Sequence, residues 1–512
     1  MPVSKSYHIR PLEWENDPEV ERYRISTLDY LSVSSYNNYA LFFRLVDSEK
    51  PNAVNILKAG LERTLAQARH LCGAIEKDPS GGHAFTKRKD STVQFVVQWL
   101  DLEEDAETYP SIDDIEEANF AAVKLGDLNL WSVPPMTYGE KPEAHIDARP
   151  VVAAYKANFV RGGLVFVMHH HHYANDVMGW AGLTHQLAEN CYAIQNKTPF
   201  PHWDTANLDL TRLTKPDPPE EEQIDGPPQP QRHPAQLDGI SLLFHLRQSK
   251  AAELKRLATP KDGSWISTYD AFSAFIWRTL TRLRAPVFNP DPEKPGALLW
   301  GEAVDMRRRM RDPPVPPRMQ GNVVSAALSR SAPDGTTHPT VSDIIRDWPL
   351  SRLASYIRAL TNSVTQEGVD SALTLVSRVR DKTALNTRID SFPPMSILMT
   401  DHRDARVAGR DFGFGRPVAY RHLVDCVTNG VVVVYPPRAR ARPRLESAGG
   451  NGAVGEREGE GAREDEGCEF SIFYERDLAA ALVGDAEWRA FFEYRGVDGV
   501  DVATTKEVPV YT

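Results

Sequence analysis

Four consecutive histidines, His169 to His172, are the residues of this 512-residue chain whose type and spacing most plainly invite chemistry. They sit in the segment GGLVFVMHHHHYANDVMG, with Asp176 four positions beyond the last of them. An imidazole of pKa about 6.5 is neutral enough at physiological pH to take a proton from a hydroxyl, so one histidine can serve as a general base. A carboxylate a few residues on would then fix the local geometry. Two other readings fit the same residues. Asp176 can be a helix N-cap, with the histidines as polar residues at a strand end. Neutral imidazoles also bind metal ions, although neighbouring strand residues point to opposite faces, so at most alternate histidines converge on one ion. Spacing alone leaves all three open.

The elements around the cluster are easier to read. Residues 164–168 form a continuous apolar run of strand length that delivers the histidines to its end. After Asp176, Trp180, Leu183, Leu187, Cys191 and Ile194 share one helical face. The histidines therefore belong to a strand-to-helix junction, with His169 and His170 expected to face solvent. Amphipathic helices are predicted over 56–69 and 269–284, and a strand over 240–246 leads to a helix capped by Ser249. Apolar runs at 423–427 and 431–435 flank Asn429-Gly430 and predict a hairpin. Residues 469–475 (EFSIFYE) alternate as a half-buried strand does, and 477–494 has the helical spacing Leu478, Leu482, Trp488, Phe492, with Gly484 as a break.

Two stretches read as connections. Closely spaced prolines over 215–239 remove backbone donors and fix φ, which suits an interdomain linker. The glycine- and charge-rich run 436–467 has too little apolar surface to offset the entropy of ordering it, and is expected to be a disordered insertion. The chain thus divides into domains at 1–214 and 240–512, of mixed α/β character. Lys plus Arg number 59 against 70 Asp plus Glu, a net charge of −11, which excludes a general nucleic-acid binder. Anionic ligands must be met locally, and residues 307–311 and 378–382 are the basic runs available. Cys72, Cys191, Cys426 and Cys468 lie far apart, without disulfide or zinc spacing, as expected of free cytoplasmic thiols. No apolar leader or run of membrane-spanning length is visible, so no membrane insertion is expected.

Motifs narrow the choice. His171-His172-Tyr-Ala-Asn-Asp176-Val-Met-Gly179 matches the HHxxxDxxG pattern of CoA-dependent acyltransferases. Asp411-Phe-Gly413-Phe-Gly415 resembles the DFGWG motif of BAHD acyltransferases, with Phe414 in place of tryptophan. Ser267-Thr-Tyr-Asp270 with Ala274, Trp277 and Arg278 is similar to the helix that opens the second half of these enzymes. VDMRRR from Val304, the proline cluster and Gly321-Asn322 resemble their VDxRxR…PP…GN stretch, and NFVRGG before the histidines resembles the fungal branch that includes trichothecene 3-O-acetyltransferases.

The resemblance implies an α/β fold of two chloramphenicol-acetyltransferase-like domains, each a mixed sheet flanked by helices, with a channel between them. It implies direct transfer of an acyl group from acyl-CoA to a hydroxyl, or an amine, of a hydrophobic secondary metabolite. His172 would be the general base, Asp176 would pair with Arg307 to hold the loop, and Gly179 and His171 would support the site. Thr400, eleven positions before Asp411, would donate to the oxyanion, although His402 stands where the family usually has tryptophan. Asp411, Gly413 and Gly415 would be structural. No permanently bound cofactor, metal or nucleic acid is implied, and a monomer is expected. Transfer from a carrier-protein thioester, as in condensation domains, and a catalytically silent binding protein are the alternatives on the same fold.

Overall fold

The computed structural model describes residues 2–332, 335–385, 388–439, 465–503 and 508–511. Most of the predicted insertion, residues 440–464, lies outside the described residues. Among the described residues, the strands form two large sheets and one small one. The first large sheet runs Val3–Ile9, Val93–Leu100, Ala153–Val160, Gly163–His171, Tyr36–Arg44 and Pro417–His422. The second runs Val324–Leu328, Trp300–Asp305, Ile397–Asp401, Val431–Val434, Cys468–Glu475, Gly239–Leu246 and Phe492–Val500. Both are mixed: Val93–Leu100 pairs in parallel with Ala153–Val160, and Ile397–Asp401 in parallel with both its neighbours, while the other pairs are antiparallel. The small sheet is Val20–Arg24, His83–Arg88 and Ala74–Lys77.

Each large sheet has a helix-covered core. Leu57 and Leu61 of helix Lys50–Gln67 and Leu183 and Leu187 of helix Val177–Asn196 pack with Leu41 and Phe166 of the first sheet. Trp277 and Leu280 of helix Thr268–Phe288 pack with Phe244 and Trp300 of the second. That last helix starts with a capping box, the Ser267 amide donating to Asp270 Oδ2 (2.6 Å) and the Asp270 amide to Ser267 Oγ (3.1 Å).

Four sequence expectations are corrected. Residues 423–427 are not a strand, so no hairpin forms around Asn429-Gly430. The chain has just left the first sheet, and Val431–Val434 pairs in parallel with Ile397–Asp401. Gly430 does turn, at φ 90°, where an added Cβ would lie 2.2 Å from the Ser396 carbonyl oxygen. The helical pattern of 477–494 stops at Arg489, because Phe492–Val500 is an edge strand beside Gly239–Leu246. The helix Gln248–Ala258 is flanked by Arg247 rather than capped by Ser249. His169 and His170 are fully buried, since Gly163–His171 is an inner strand covered on both faces.

One connection crosses between the large sheets twice. Ile397–Asp401 lies in the second, Pro417–His422 in the first and Val431–Val434 in the second again. This strap carries Thr400, His402 and the DFGFG motif.

Candidate active site

The first three histidines are held as neutral, partnered core residues. The Val133 amide donates to His169 Nε2 (3.1 Å), whose other ring nitrogen lies 2.7 Å from the Asn38 side chain. His170 Nε2 lies 3.2 Å from the Tyr155 hydroxyl. His171 Nε2 donates to the Ala144 carbonyl (2.9 Å), and its Nδ1 accepts from the Tyr173 amide (3.2 Å). Burial pushes their pKa values down to about 3, 3 and 4. Among the described residues no group of three or more His, Cys, Asp or Glu side chains is placed to hold a metal ion.

His172 differs. It follows the strand end, where its amide donates to the Ser35 carbonyl (2.8 Å) and its carbonyl accepts from Asn322 Nδ2 (2.8 Å). Its Nδ1 is buried without a hydrogen-bond partner of sound geometry, and Nε2 makes no hydrogen bond of sound geometry to protein among the described residues. Nε2 is thus the nitrogen open to a visitor. Burial lowers the ring's pKa below its ordinary 6.5, opposed by its own carbonyl, by Asp176 and by Asn322.

Asp176 caps helix Val177–Asn196, its Oδ1 accepting from the Gly179 amide (2.7 Å). The same carboxylate takes Arg307 Nη1 on Oδ2 (2.9 Å) and Nη2 on Oδ1 (3.0 Å), with the Val323 amide also on Oδ2 (2.9 Å). Arg307 further donates to Met319 O, Gly321 O and Asp305 Oδ1. Burial works against the guanidinium charge, but Asp176 and Asp305 outweigh it and hold the pKa above its ordinary value. Gly179 is required here by space: a Cβ would stand 2.5 Å from Asn175 Oδ1 and 3.1 Å from Arg307 Nη2.

A further residue escaped the sequence reading. Asp29, fully buried, accepts from both the backbone and side-chain nitrogens of Asn322 on Oδ1 (each 2.8 Å) and from the Ser26 amide on Oδ2 (2.9 Å). Asn322 in turn holds the His172 carbonyl, so Asp29 bears on the position of His172 through one intermediary. Burial raises the Asp29 pKa to about 6, against the pull of these donors. Its only sequence signal is a lone aspartate 293 positions from its partner.

The strap carries a second polar row. Thr400 Oγ1 lies 3.1 Å from His402 Nε2, and His402 Nδ1 lies 3.0 Å from the Tyr420 hydroxyl. Tyr420 stacks on Trp180 of the Asp176-capped helix, ring centroids 5.2 Å apart. His422, also unforeseen, packs against Tyr138 (4.7 Å) and Tyr39 (5.1 Å). Burial, then His402 and His172, lower the His422 pKa, and burial lowers that of His402 to about 4, with His172 among its neighbours. A cleft of about 450 Å³ lies beside this region, walled by His70, Ala174 and Leu210 of the first half, Pro216 of the connection, and Gln320 and Gly321 of the second; His172 and Thr400 do not line it.

The DFGFG motif anchors the strap. Asp411 Oδ1 accepts from the Gly413 amide (2.9 Å), and Phe412 meets Phe43 edge-on (5.2 Å). Gly413 has φ 81°, and a Cβ there would stand 2.7 Å from Gln195 Cβ, at the far end of the helix from Asp176. Gly415 has ordinary space around it, the nearest contact for a Cβ being 3.7 Å. The basic runs are largely committed. Arg380 and Lys382 pair with Glu220 and Asp217 of the proline-rich connection, and Arg309 donates to the carbonyls of Thr361 and Val364.

Comparison with known proteins gives a consistent placement. The Transferase family model matches residues 3–443. A Gibberella zeae protein named acetyltransferase FGR3 is 64% identical over 498 residues, 97% of this chain and 95% of its own. Fusarium sporotrichioides trichothecene 3-O-acetyltransferase TRI101 is 27% identical over 402 residues, 75% and 82% of the two chains. Among solved structures, F. graminearum TRI101 complexed with coenzyme A and T-2 mycotoxin superposes with a TM-score of 0.72 at 20% identity, covering 93% of this chain and 100% of that one. Vinorine synthase gives 0.64 at 17%, covering 96% and 98%. At those identities the structural likeness speaks for the fold, two mixed sheets flanked by helices. The family match and the 64% relative, joined to the HHxxxDxxG and DFGFG motifs, identify the chain as a member of the Transferase family, the BAHD-type acyltransferases.

Proposed function

We propose that the protein transfers an acyl group, acetyl in the first instance, from acyl-CoA to a hydroxyl of a hydrophobic secondary metabolite, with His172 as general base. The observation that carries this is the open Nε2 of His172, on a ring kept neutral by burial and fixed at its backbone by Ser35 and Asn322. Nε2 takes the proton of the acceptor hydroxyl as its oxygen attacks the thioester carbonyl. The Thr400 hydroxyl donates to the resulting oxyanion. Collapse breaks the carbon–sulfur bond, and the imidazolium returns the proton to the departing CoA thiolate, so ester and free CoA leave and the base is restored.

Asp176 and Arg307 keep the loop in place and take no proton. His171 and Gly179 support it, while Asp411, Gly413 and Gly415 hold the strap. The names of the relatives, acetyltransferase FGR3 and trichothecene 3-O-acetyltransferase, support acetyl as the acyl group and a hydroxylated terpenoid as the acceptor class. The neighbour solved with coenzyme A and T-2 mycotoxin supports free CoA over a carrier-protein donor. The two large sheets correspond in this reading to domains 1–214 and 240–512, joined by 215–239, the second lending Pro417–His422 to the first. Substrates meet at His172, beside the Asp176–Arg307 pair that joins the two halves. A cytoplasmic location and a monomeric state complete the proposal; among the described residues the four cysteines are free, and no helix is long and apolar enough to cross a membrane.

The test is CoA release from acetyl-CoA in the presence of a panel of hydroxylated sesquiterpenoids, deoxynivalenol included. Acceptor-dependent release with formation of the acetyl ester supports the reading. Release with no ester from any member, or none at all with either acetyl-CoA or longer acyl-CoAs, counts against it.

A further inference from the structure

Thr400, His402 and Tyr420 form a hydrogen-bonded row whose direction chemistry decides. Tyr420 is 1% exposed, and the polar contact its hydroxyl makes is His402 Nδ1 at 3.0 Å. A buried phenol proton needs an acceptor, and this nitrogen is the one within reach. His402 is itself buried, and burial lowers its pKa to about 4, so at neutral pH one ring nitrogen donates and the other accepts. With Nδ1 accepting from Tyr420, the ring proton sits on Nε2 and is donated to Thr400 Oγ1, 3.1 Å away. Thr400 is half-buried and has no other protein partner among the described residues, so its own proton remains for a visitor. The reverse row would leave the Tyr420 proton unpaired in the core and spend the Thr400 proton on His402.

We infer that Tyr420 and His402 are positioning residues that direct the Thr400 hydroxyl proton at the thioester oxygen. Each bond in the row polarises the next, which strengthens the last donor. A tryptophan at 402 has one donor and no acceptor, so it would pass nothing from Tyr420 to Thr400. The histidine that departs from the family pattern thereby gains a function. The inference rests on the reading of Thr400 as oxyanion donor, and its test separates the two.

The test is a double-mutant cycle with Thr400→Ala and Tyr420→Phe, reading CoA release from acetyl-CoA with water as acceptor. Thr400→Ala is expected to lower turnover by about 10²-fold. Tyr420→Phe is expected to lower it by about fivefold, the effect of one hydrogen bond, with the KM for acetyl-CoA unchanged. In the Thr400→Ala background the same change should do almost nothing, because Tyr420 acts only through Thr400. An equal loss in both backgrounds overturns the relay while leaving Thr400 as donor. Full turnover in Thr400→Ala overturns the donor reading itself. A second measurement needs no turnover: nitrogen-15 NMR of the full chain with labelled histidine, the His402 signal assigned by its loss in His402→Gln. A proton on Nε2 is expected, shifting towards mixed tautomers in Tyr420→Phe, and a proton on Nδ1 overturns the inference.

Discussion

Arg307 grips Asp176 with two parallel hydrogen bonds, 2.9 and 3.0 Å long, and both side chains are buried. Arg307 follows the strand Trp300–Asp305 of one sheet, whereas Asp176 ends the loop after Gly163–His171 of the other. The pair therefore ties the halves together at the point where His172 must be held still. Removing one partner strands the other charge without water, which costs about 3–5 kcal/mol. Arg307→Met is expected to lose stability on that scale in urea unfolding, and to lose turnover as the loop loosens. Full stability would show that water reaches Asp176.

Two motif glycines should fail in different ways. Gly179→Ala places a methyl 2.5 Å from Asn175 Oδ1 and 3.1 Å from Arg307 Nη2, so the loop must shift. A displacement near 1 Å can cost about 10²-fold in rate, and kcat is expected to fall on that scale. Gly413→Ala combines φ 81° with a contact of 2.7 Å to Gln195 Cβ. It should lower stability by about 1–3 kcal/mol while kcat per folded molecule stays within a factor of about two. Urea midpoints and active-site-normalised kcat separate the two outcomes.

The pH dependence follows from buried imidazoles. In the proposed mechanism His172 works in its neutral form, and burial lowers its pKa below 6.5, so kcat/KM should be flat at pH 7 and fall only below 6.5. Stability has the same sign. His70, His171, His185 and His402 are depressed to about 4, and His169 and His170 to about 3, so below 6.5 the unfolded chain takes up protons that the folded chain refuses. Stability is present above pH 6.5 and is lost as pH falls towards 4, by about 1.4 kcal/mol per pH unit for each such proton. Asp29, raised to about 6, and Glu302, raised to about 7, act in the opposite direction but are outnumbered. A urea midpoint that stays level from pH 7 to 4.5 would contradict this.

Local signals made the strand-to-helix junction legible. The apolar run, the N-cap aspartate and the helical face all lie within residues 164–194, and each physical cause acts along that one stretch. The fold at that point, and Asp176 as a cap, can be read directly. What depends on distant contacts cannot. Asp29 reaches Asn322 across 293 positions, and the burial of His169 to His171 follows from the strand's place inside its sheet. The expected hairpin at 423–435 fails for the same reason, since a local turn signal does not reveal that the chain is changing sheets. Phe492 fits a helical spacing as well as a strand, and its pairing with Leu246 decides the matter. His402 is visible in the sequence only as a departure from a family pattern, and its two partners give it a meaning.

The most direct measurement is the rate of CoA release from acetyl-CoA by His172→Ala, in the presence of an accepted alcohol, beside its thermal unfolding curve. Nε2 makes no hydrogen bond of sound geometry to protein among the described residues, and the ring carries no part of the Asp176–Arg307 clamp, so the melting temperature should barely move. Turnover should fall by about 10²- to 10⁴-fold, the contribution of a positioned base. Near-wild-type turnover in a folded His172→Ala protein would contradict the assignment of His172 as the base.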